Sequence, residues 1–120
     1  MMSTQQIAVR LAELVGQGQF EAAQRELFAT DAVSIEPHAS GPFEKETSGL
    51  QAILAKGKTW LSMVEKVHSC SASAPLVAGN AIALTLAMDL DMKGRGRMQL
   101  AEVCVYCVRD GKIVSEQFFM

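Results

Sequence analysis

The sequence predicts an α+β domain in which N-terminal helices pack on a curved antiparallel sheet. Apolar residues recur with the helical period of 3.6 in the first half of the chain and with the strand period of two in the second half. The strand signal is strongest from Ile82 to Met92, where Ile, Leu and Met alternate with Ala, Thr and Asp. We therefore expect helices first and then a four-stranded meander.

Three helices are predicted in the first half. Ser3 or Thr4 can cap the first helix, and Gly16 and Gly18 end it. A second, short helix carries Phe20, Ala23 and Leu27 on one side. An extended run, Val33–Glu36, ends at Pro37, and a loop over His38–Thr47 leads to a third helix that begins at Ser48.

Four strands are predicted in the second half: Val67–Leu76, Ile82–Met92, Met98–Arg109 and Lys112–Met120. A two-residue turn at Asp110-Gly111 and a five-residue turn at Lys93–Arg97 set the predicted register. This register places Glu102 opposite both Met88 and Phe119, on the face that meets the helices. The same register places Phe118 and Glu116 on the other face.

That other, outer face of the predicted sheet is also largely apolar. Val103, Val105, Cys107, Val114 and Phe118 lie on it in the predicted register. An antiparallel sheet with one face in water is polar on that face. We therefore expect a homodimer that covers the outer sheet face.

The composition of the chain argues against nucleic-acid binding and against a membrane-spanning helix. The 120 residues fit one domain spanning 1–120, and 11 basic against 13 acidic residues give no electrostatic reason to bind nucleic acid. The longest apolar stretch, Ala81–Met88, is too short for a membrane helix. Three cysteines and an N-terminus without a signal-peptide pattern favour the cytoplasm.

No metal or cofactor is expected. Cys104 and Cys107 form a C-x-x-C motif, but residues three apart on a strand point to opposite faces. The sequence contains neither a phosphate-binding loop nor a dinucleotide fingerprint.

Two carboxylates are candidate catalytic residues. Glu102 is the only acid on the predicted core face of the central strands, where burial would keep it protonated and able to act as a general acid. Alternatively, it reaches water at the open end of the sheet. Glu36 precedes Pro37 at the end of an extended run and could serve as a base, or it is an ordinary solvated acid. His38, two residues after Glu36, is a further candidate for contact with a ligand.

The remaining candidates are ligand-binding residues. Tyr106 and Trp60 combine an apolar body with one polar group, as small-molecule sites favour. A tryptophan on a helix stripe is also a common core residue. The predicted core face adds four more candidate ligand-binding residues: Met88, Cys104, Gln117 and Phe119.

Three segments resemble the nuclear transport factor 2-like superfamily, in particular its SnoaL-like and ketosteroid-isomerase-like branch. They are Phe28-Ala-Thr-Asp-Ala-Val-Ser-Ile-Glu-Pro37, Gly49-Leu-Gln-Ala-Ile53 and Val108-Arg-Asp-Gly-Lys-Ile-Val-Ser-Glu-Gln117. The resemblance covers nearly the whole chain. It implies a cystatin-like cone, in which N-terminal helices pack on a strongly curved antiparallel sheet of four to six strands around an apolar pocket, commonly in a dimer.

The resemblance also bears on the site. Glu36 falls where the isomerases keep their catalytic base. Their first-helix tyrosine falls near Leu11 or Ala12, so that part of their site is absent here. Their protonated acid falls near Cys104, with Glu102 one pleat away on the same face.

Three functions are therefore open. The first is an isomerase, cyclase or dehydratase that moves a proton on a small apolar carbonyl compound, with Glu36 as base and Glu102 as neutral acid. The second is a binding module that holds an apolar ligand without catalysis. The third is a structural dimerisation domain with a filled interior. Fold alone does not distinguish them.

Overall fold

The computed structural model describes residues 1–120 and consists of helices packed on one face of a curved, unclosed sheet. The α+β class predicted from the change of period is confirmed. In chain order the elements are α1 (Thr4–Gly16), α2 (Phe20–Leu27), β1 (Phe28–Ile35), β2 (Glu46–Ser48), α3 (Leu50–Met63), β3 (Val64–Ala72), β4 (Leu76–Ala78), β5 (Ala81–Met92), β6 (Gly96–Arg109) and β7 (Lys112–Phe119).

Helix α1 begins as its sequence predicts. The Ser3 hydroxyl accepts a hydrogen bond from the Gln6 backbone N–H at 3.1 Å, and the Gln6 side chain accepts one from the Ser3 N–H at 2.9 Å. This reciprocal pair is a capping box, which satisfies two amides that a helix start leaves free. The predicted apolar stripe of α1 is buried in the core: Ile7, Leu11, Leu14 and Val15.

Helix α3 begins two residues later than predicted. Ser48 lies in β2 and pairs with Val33, so its backbone is extended rather than helical. Gly49 then supplies the N-cap with φ of 96°, a conformation that side chains with a Cβ rarely adopt. No helix in the structure is long and apolar enough to cross a membrane; α3, at 14 residues, is the longest.

The sheet has seven strands in the order β2-β1-β7-β6-β5-β3, with β4 paired to β5 beside β3. The predicted meander forms the consecutive strands β7-β6-β5-β3, and β1 extends the sheet by pairing parallel to β7. The sheet has more strands than the predicted four to six. The difference comes from two strands of only three residues, β2 and β4, which are too short to leave a clear sequence pattern. The predicted strand Val67–Leu76 is two strands, β3 and β4, since the chain leaves the ladder after Ala72.

The β5–β6 hairpin turns over three residues, Lys93 to Arg95, rather than the five predicted, because Met92 pairs with Gly96. Glu102 consequently lies opposite Leu86 and not opposite Met88. A shift of two residues keeps every side chain on its predicted face, since the side-chain period of a strand is two.

The β6–β7 hairpin has the predicted turn, but its register beyond the turn differs by one residue from the prediction. Asp110 and Gly111 have φ of 52° and 74°, as a two-residue type I′ turn requires, and Arg109 pairs with Lys112 as expected. A bulge then gives β7 one extra residue, so that Cys107 pairs with Ser115.

This bulge reverses the facing of the end of β7. Tyr106 pairs with Glu116, and Cys104 pairs with Phe118, so the predictions for this stretch were wrong. Glu116 and Phe118 face the helices, whereas Gln117 and Phe119 lie on the outer face and Phe119 is 49% exposed. A one-residue slip exchanges the two faces of a strand.

Candidate active site

A cavity of about 620 Å³ lies between the three helices, the inner face of β5, β6 and β7, and the loop after β1. Its volume is in the range of small-molecule sites, and its lining is mostly apolar. Five of the seven methionines in the chain line it: Met63, Met88, Met92, Met98 and Met120. Methionine side chains are flexible and polarizable, so this wall can adjust to the shape of a ligand.

One wall of the cavity carries a chain of hydrogen bonds that begins on β1. Residues two apart on a strand share a face, which brings Ser34 and Glu36 to the same side. Lys56, on α3, donates to Glu36 Oε2 at 3.1 Å and to Ser34 Oγ at 2.6 Å. The Ser34 hydroxyl donates to Glu116 Oε1 at 2.8 Å. The chain therefore links the carboxylate of Glu36 to the buried carboxyl group of Glu116, which also borders the cavity.

The first two groups of this chain are partly exposed and the last two are buried. The side chains of Glu36 and Lys56 are 27% and 15% exposed, whereas Ser34 is fully buried and Glu116 is 5% exposed. The Lys56 ammonium also lies 5.8 Å from the centre of the Phe118 ring, within cation–π range. Lys56 is thus the cation that compensates the acids of this wall.

Glu102, on β6, also lines the cavity but has no basic partner. Its one side-chain contact with a polar group is Cys104 Sγ, at 3.9 Å. Burial, together with the negative charges of Glu36 and Glu116, raises the pKa of Glu102 to about 7. Near neutrality a large share of Glu102 is therefore protonated and able to donate a hydrogen bond or a proton.

Glu116 also has a raised pKa. Burial raises it to about 7 against the opposing effects of the Ser34 hydrogen bond and the Lys56 charge. Burial likewise raises the pKa of Tyr106 well above its usual value and that of Cys104 to about 12. Tyr106 and Cys104 are therefore uncharged at physiological pH and contribute polarity without ionising.

Six of the nine predicted site residues line the cavity: Glu36, His38, Trp60, Met88, Glu102 and Tyr106. Trp60 packs against Phe43 with ring centres 6.4 Å apart. The other three do not line it. Cys104 is fully buried, and the β7 bulge turns Gln117 and Phe119 to the outer face. The roles of the six in binding or catalysis stay predictions.

Three residues of the site were not predicted from the sequence: Ser34, Lys56 and Glu116. Two of them carried a signal. Ser34 lies two residues before Glu36 in the predicted extended run. Lys56 lies three residues after Ile53 and four before Trp60, which places the three on one side of α3. Glu116 carried none, because only the bulge turns it inward. No group of three or more His, Cys, Asp or Glu side chains is placed to hold a metal ion.

Comparison with known proteins identifies one family and many solved structures with a similar fold. The sequence profile of the SnoaL-like domain matches residues 2–120. The chain is similar to a provisionally named SnoaL-like polyketide cyclase from Mesorhizobium loti, with 33% identity over 99% of this chain and 100% of that chain and a TM-score of 0.90. No curated protein sequence matches the chain at a significant level.

Two more distant structures share the fold. One is a protein with a cystatin-like fold from Xanthomonas campestris, with 20% identity, 98% of this chain and 90% of that chain covered, and a TM-score of 0.80. The other is a provisionally named isomerase from Bacillus subtilis, with 21% identity, 98% and 88% covered, and a TM-score of 0.74. The predicted cystatin-like fold class is confirmed.

Proposed function

Because the chain belongs to the SnoaL-like domain family, as its resemblance predicted, we propose that it binds a small apolar carbonyl compound and catalyses proton transfer on it. The observation that carries the proposal is the contrast between two carboxyl groups at one cavity. Glu36 has a cationic partner in Lys56, whereas Glu102 has none and has a pKa of about 7. Two acids in such different environments suit opposite roles in acid–base catalysis.

Glu36 is the base in this proposal. Its carboxylate takes a proton from the carbon next to the carbonyl group, and the C–H electron pair forms the enolate. Protonated Glu102 is the acid, which returns a proton to carbon or supplies one to oxygen. Such steps underlie isomerisation, cyclisation and dehydration alike. The names of the proteins from Mesorhizobium loti and Bacillus subtilis, a cyclase and an isomerase, support this group of reactions.

The first experiment is a thermal-shift screen against lipophilic ketones and polyketide-like aromatic compounds. A ligand present at about 100 times its dissociation constant stabilises the fold by about 2.7 kcal/mol, which is visible as a raised melting temperature. For each compound that binds, NMR in D₂O then measures exchange of the hydrogens next to the carbonyl group. We expect the wild-type protein to accelerate this exchange.

Glu36→Gln separates catalysis from binding. We expect it to abolish the accelerated exchange, because the uncharged glutamine cannot take the proton. We expect the thermal shift to remain, because glutamine has a similar shape. The matched control is Glu44→Gln, an exposed acid of the same loop that does not line the cavity. Full exchange activity in Glu36→Gln would remove Glu36 from the mechanism. Binding without exchange in the wild-type protein would favour the non-catalytic module.

The homodimer stays a prediction and is part of the proposal. Val103 and Phe119 pair across β6 and β7 on the outer face and are 42% and 49% exposed. Apolar side chains exposed side by side are typical of an interface. Light scattering on the purified protein should give twice the chain mass, and Val103→Glu should give the single mass. A monomeric wild-type protein would contradict the prediction. A cytoplasmic location is likewise proposed, on the three free cysteines.

A further inference from the structure

Lys56 has a hydrogen-bond donor that the protein does not use. An ammonium group carries three N–H donors. Two of them are occupied, one by Ser34 Oγ at 2.6 Å and one by Glu36 Oε2 at 3.1 Å. No other protein oxygen accepts from Lys56, although its side chain is only 15% exposed and lines the cavity. A donor left free in a largely buried site suits an oxygen atom of a ligand.

We propose that Lys56 is a catalytic residue whose ammonium group binds the carbonyl oxygen of the substrate, next to the base Glu36. This inference rests on the proposed function and makes it more specific. It assigns the group that holds the carbonyl oxygen of the proposed substrates, which are carbonyl compounds with a hydrogen on the adjacent carbon.

The spacing of Lys56 and Glu36 fits this substrate class. Lys56 Nζ and Glu36 Oε2 are 3.1 Å apart. In a carbonyl compound the oxygen and the neighbouring carbon are about 2.4 Å apart, from the C=O and C–C bond lengths. One side of the substrate can therefore present its oxygen to Lys56 while its C–H faces Glu36. Glu36 Oε1, which accepts no hydrogen bond from the protein, is free to take the proton.

The electrostatics of the step favour the same arrangement. Before the reaction, the negative charge lies on Glu36 and is paired with Lys56. Glu36 then takes the proton, the C–H electron pair becomes the C=C bond, and the carbonyl π pair moves to oxygen. The negative charge thus passes from Glu36 to the enolate oxygen while Lys56 keeps its proton and contacts both. A buried cation that is paired throughout avoids the large penalty of an isolated charge.

Ser34 is a positioning residue for Lys56. It is fully buried and does not line the cavity, so it acts through the ammonium group and not on the substrate. Its oxygen accepts from Lys56, and its hydroxyl donates to Glu116, a carboxyl group in the core. This anchorage holds Lys56 Nζ to one side of Glu36. Without it, the flexible lysine side chain could turn away from the carbonyl oxygen.

The test uses 4-nitrophenol, whose phenolate oxygen stands in for the enolate oxygen and whose absorbance distinguishes phenolate from phenol. Nitrobenzene, which lacks that oxygen, is the neutral comparison. We expect Lys56→Met to bind the phenolate about tenfold more weakly or worse, as loss of a charged hydrogen bond implies, and to bind nitrobenzene as the wild type does. Lys56→Arg should restore part of the phenolate affinity. Lys66→Met, at an exposed lysine on β3, is the matched control and should bind both probes normally.

A second variant, Ser34→Ala, tests the anchorage of Lys56 and leaves the positive charge of Lys56 in place. Ser34→Ala should fold with Lys56 present but shift the absorption maximum of the bound phenolate, since the ammonium group is no longer fixed. Equal phenolate affinity in wild type and Lys56→Met would overturn the inference, as would a wild-type protein that does not bind the phenolate. Hydrogen exchange that needs Glu36 but not Lys56 would overturn it as well and leave the proposed function standing. Exchange that needs neither residue would remove Glu36 as well as Lys56 from the mechanism, and only the absence of accelerated exchange in the wild-type protein would remove the proposed function itself.

Discussion

Ionisation of Glu116 should weaken the fold as the pH rises. Burial raises its pKa to about 7 in the folded chain, from 4.5 for an ordinary glutamate. Between these two values the folded chain keeps a proton on Glu116 that the unfolded chain has lost. The free energy of unfolding therefore falls as the pH increases through this window. From the two pKa values, the full loss above the window is about 3 kcal/mol.

Glu116→Gln should remove this pH dependence. Glutamine keeps an oxygen that can accept the Ser34 hydrogen bond, and it has no charge to desolvate. We expect the variant to be more stable than the wild type by about 3 kcal/mol near pH 8 and by only about 1 kcal/mol near pH 5. A substitution inside the core that stabilises the protein is unusual, so the expectation is specific.

Urea unfolding followed by circular dichroism at several pH values measures the effect, with the free energy of unfolding extrapolated to water. Glu44→Gln, at an exposed position, is the matched control and should change little at any pH. A variant less stable than the wild type near pH 8 would refute the reasoning. A difference that does not change with pH would refute it too, because the substitution removes the proton on Glu116, whereas Glu102, whose pKa is also about 7, is present in both proteins.

Two glycines give opposite expectations in the same urea assay. Gly57 lies inside α3, where an added Cβ would meet only Gln24 Oε1 at 3.9 Å, so Gly57→Ala should raise the free energy of unfolding by about 1 kcal/mol through helix propensity; a decrease would contradict this. Gly49 has φ of 96° at the start of α3, so Gly49→Ala should lower the free energy of unfolding by about 1–2 kcal/mol. Unchanged stability in Gly49→Ala would show that the turn relaxes without strain.

Local sequence patterns predicted much of the fold. The cap at Ser3, the alternation along β5 and the turn at Asp110 and Gly111 are properties of a few neighbouring residues, and all three appear in the structure. The pairing of β1 with β7 was not predicted, because it joins residues far apart in the chain and leaves no local pattern. It matters for the site, since it brings Ser34 beside Glu116.

The candidate site was predicted in part. Glu36 and Glu102 were identified from a residue before a proline and an acid on an apolar face, and both line the cavity. Lys56 was missed because a lysine on a helix stripe usually extends to solvent, and only its partners on β1 hold it inside.

The sequence by itself determined the class of fold, since the change of period from 3.6 to two depends only on which residues are apolar. It also determined the family and two of the acids at the cavity, Glu36 and Glu102. The tertiary structure alone decided which side chains of β7 face the cavity. One extra residue in β7, opposite the step from Val108 to Cys107 on β6, turns Glu116 and Phe118 inward and Gln117 and Phe119 outward. Both faces of this strand are mixed in polarity, so its pattern does not specify the register, and packing against β1 and the helices does.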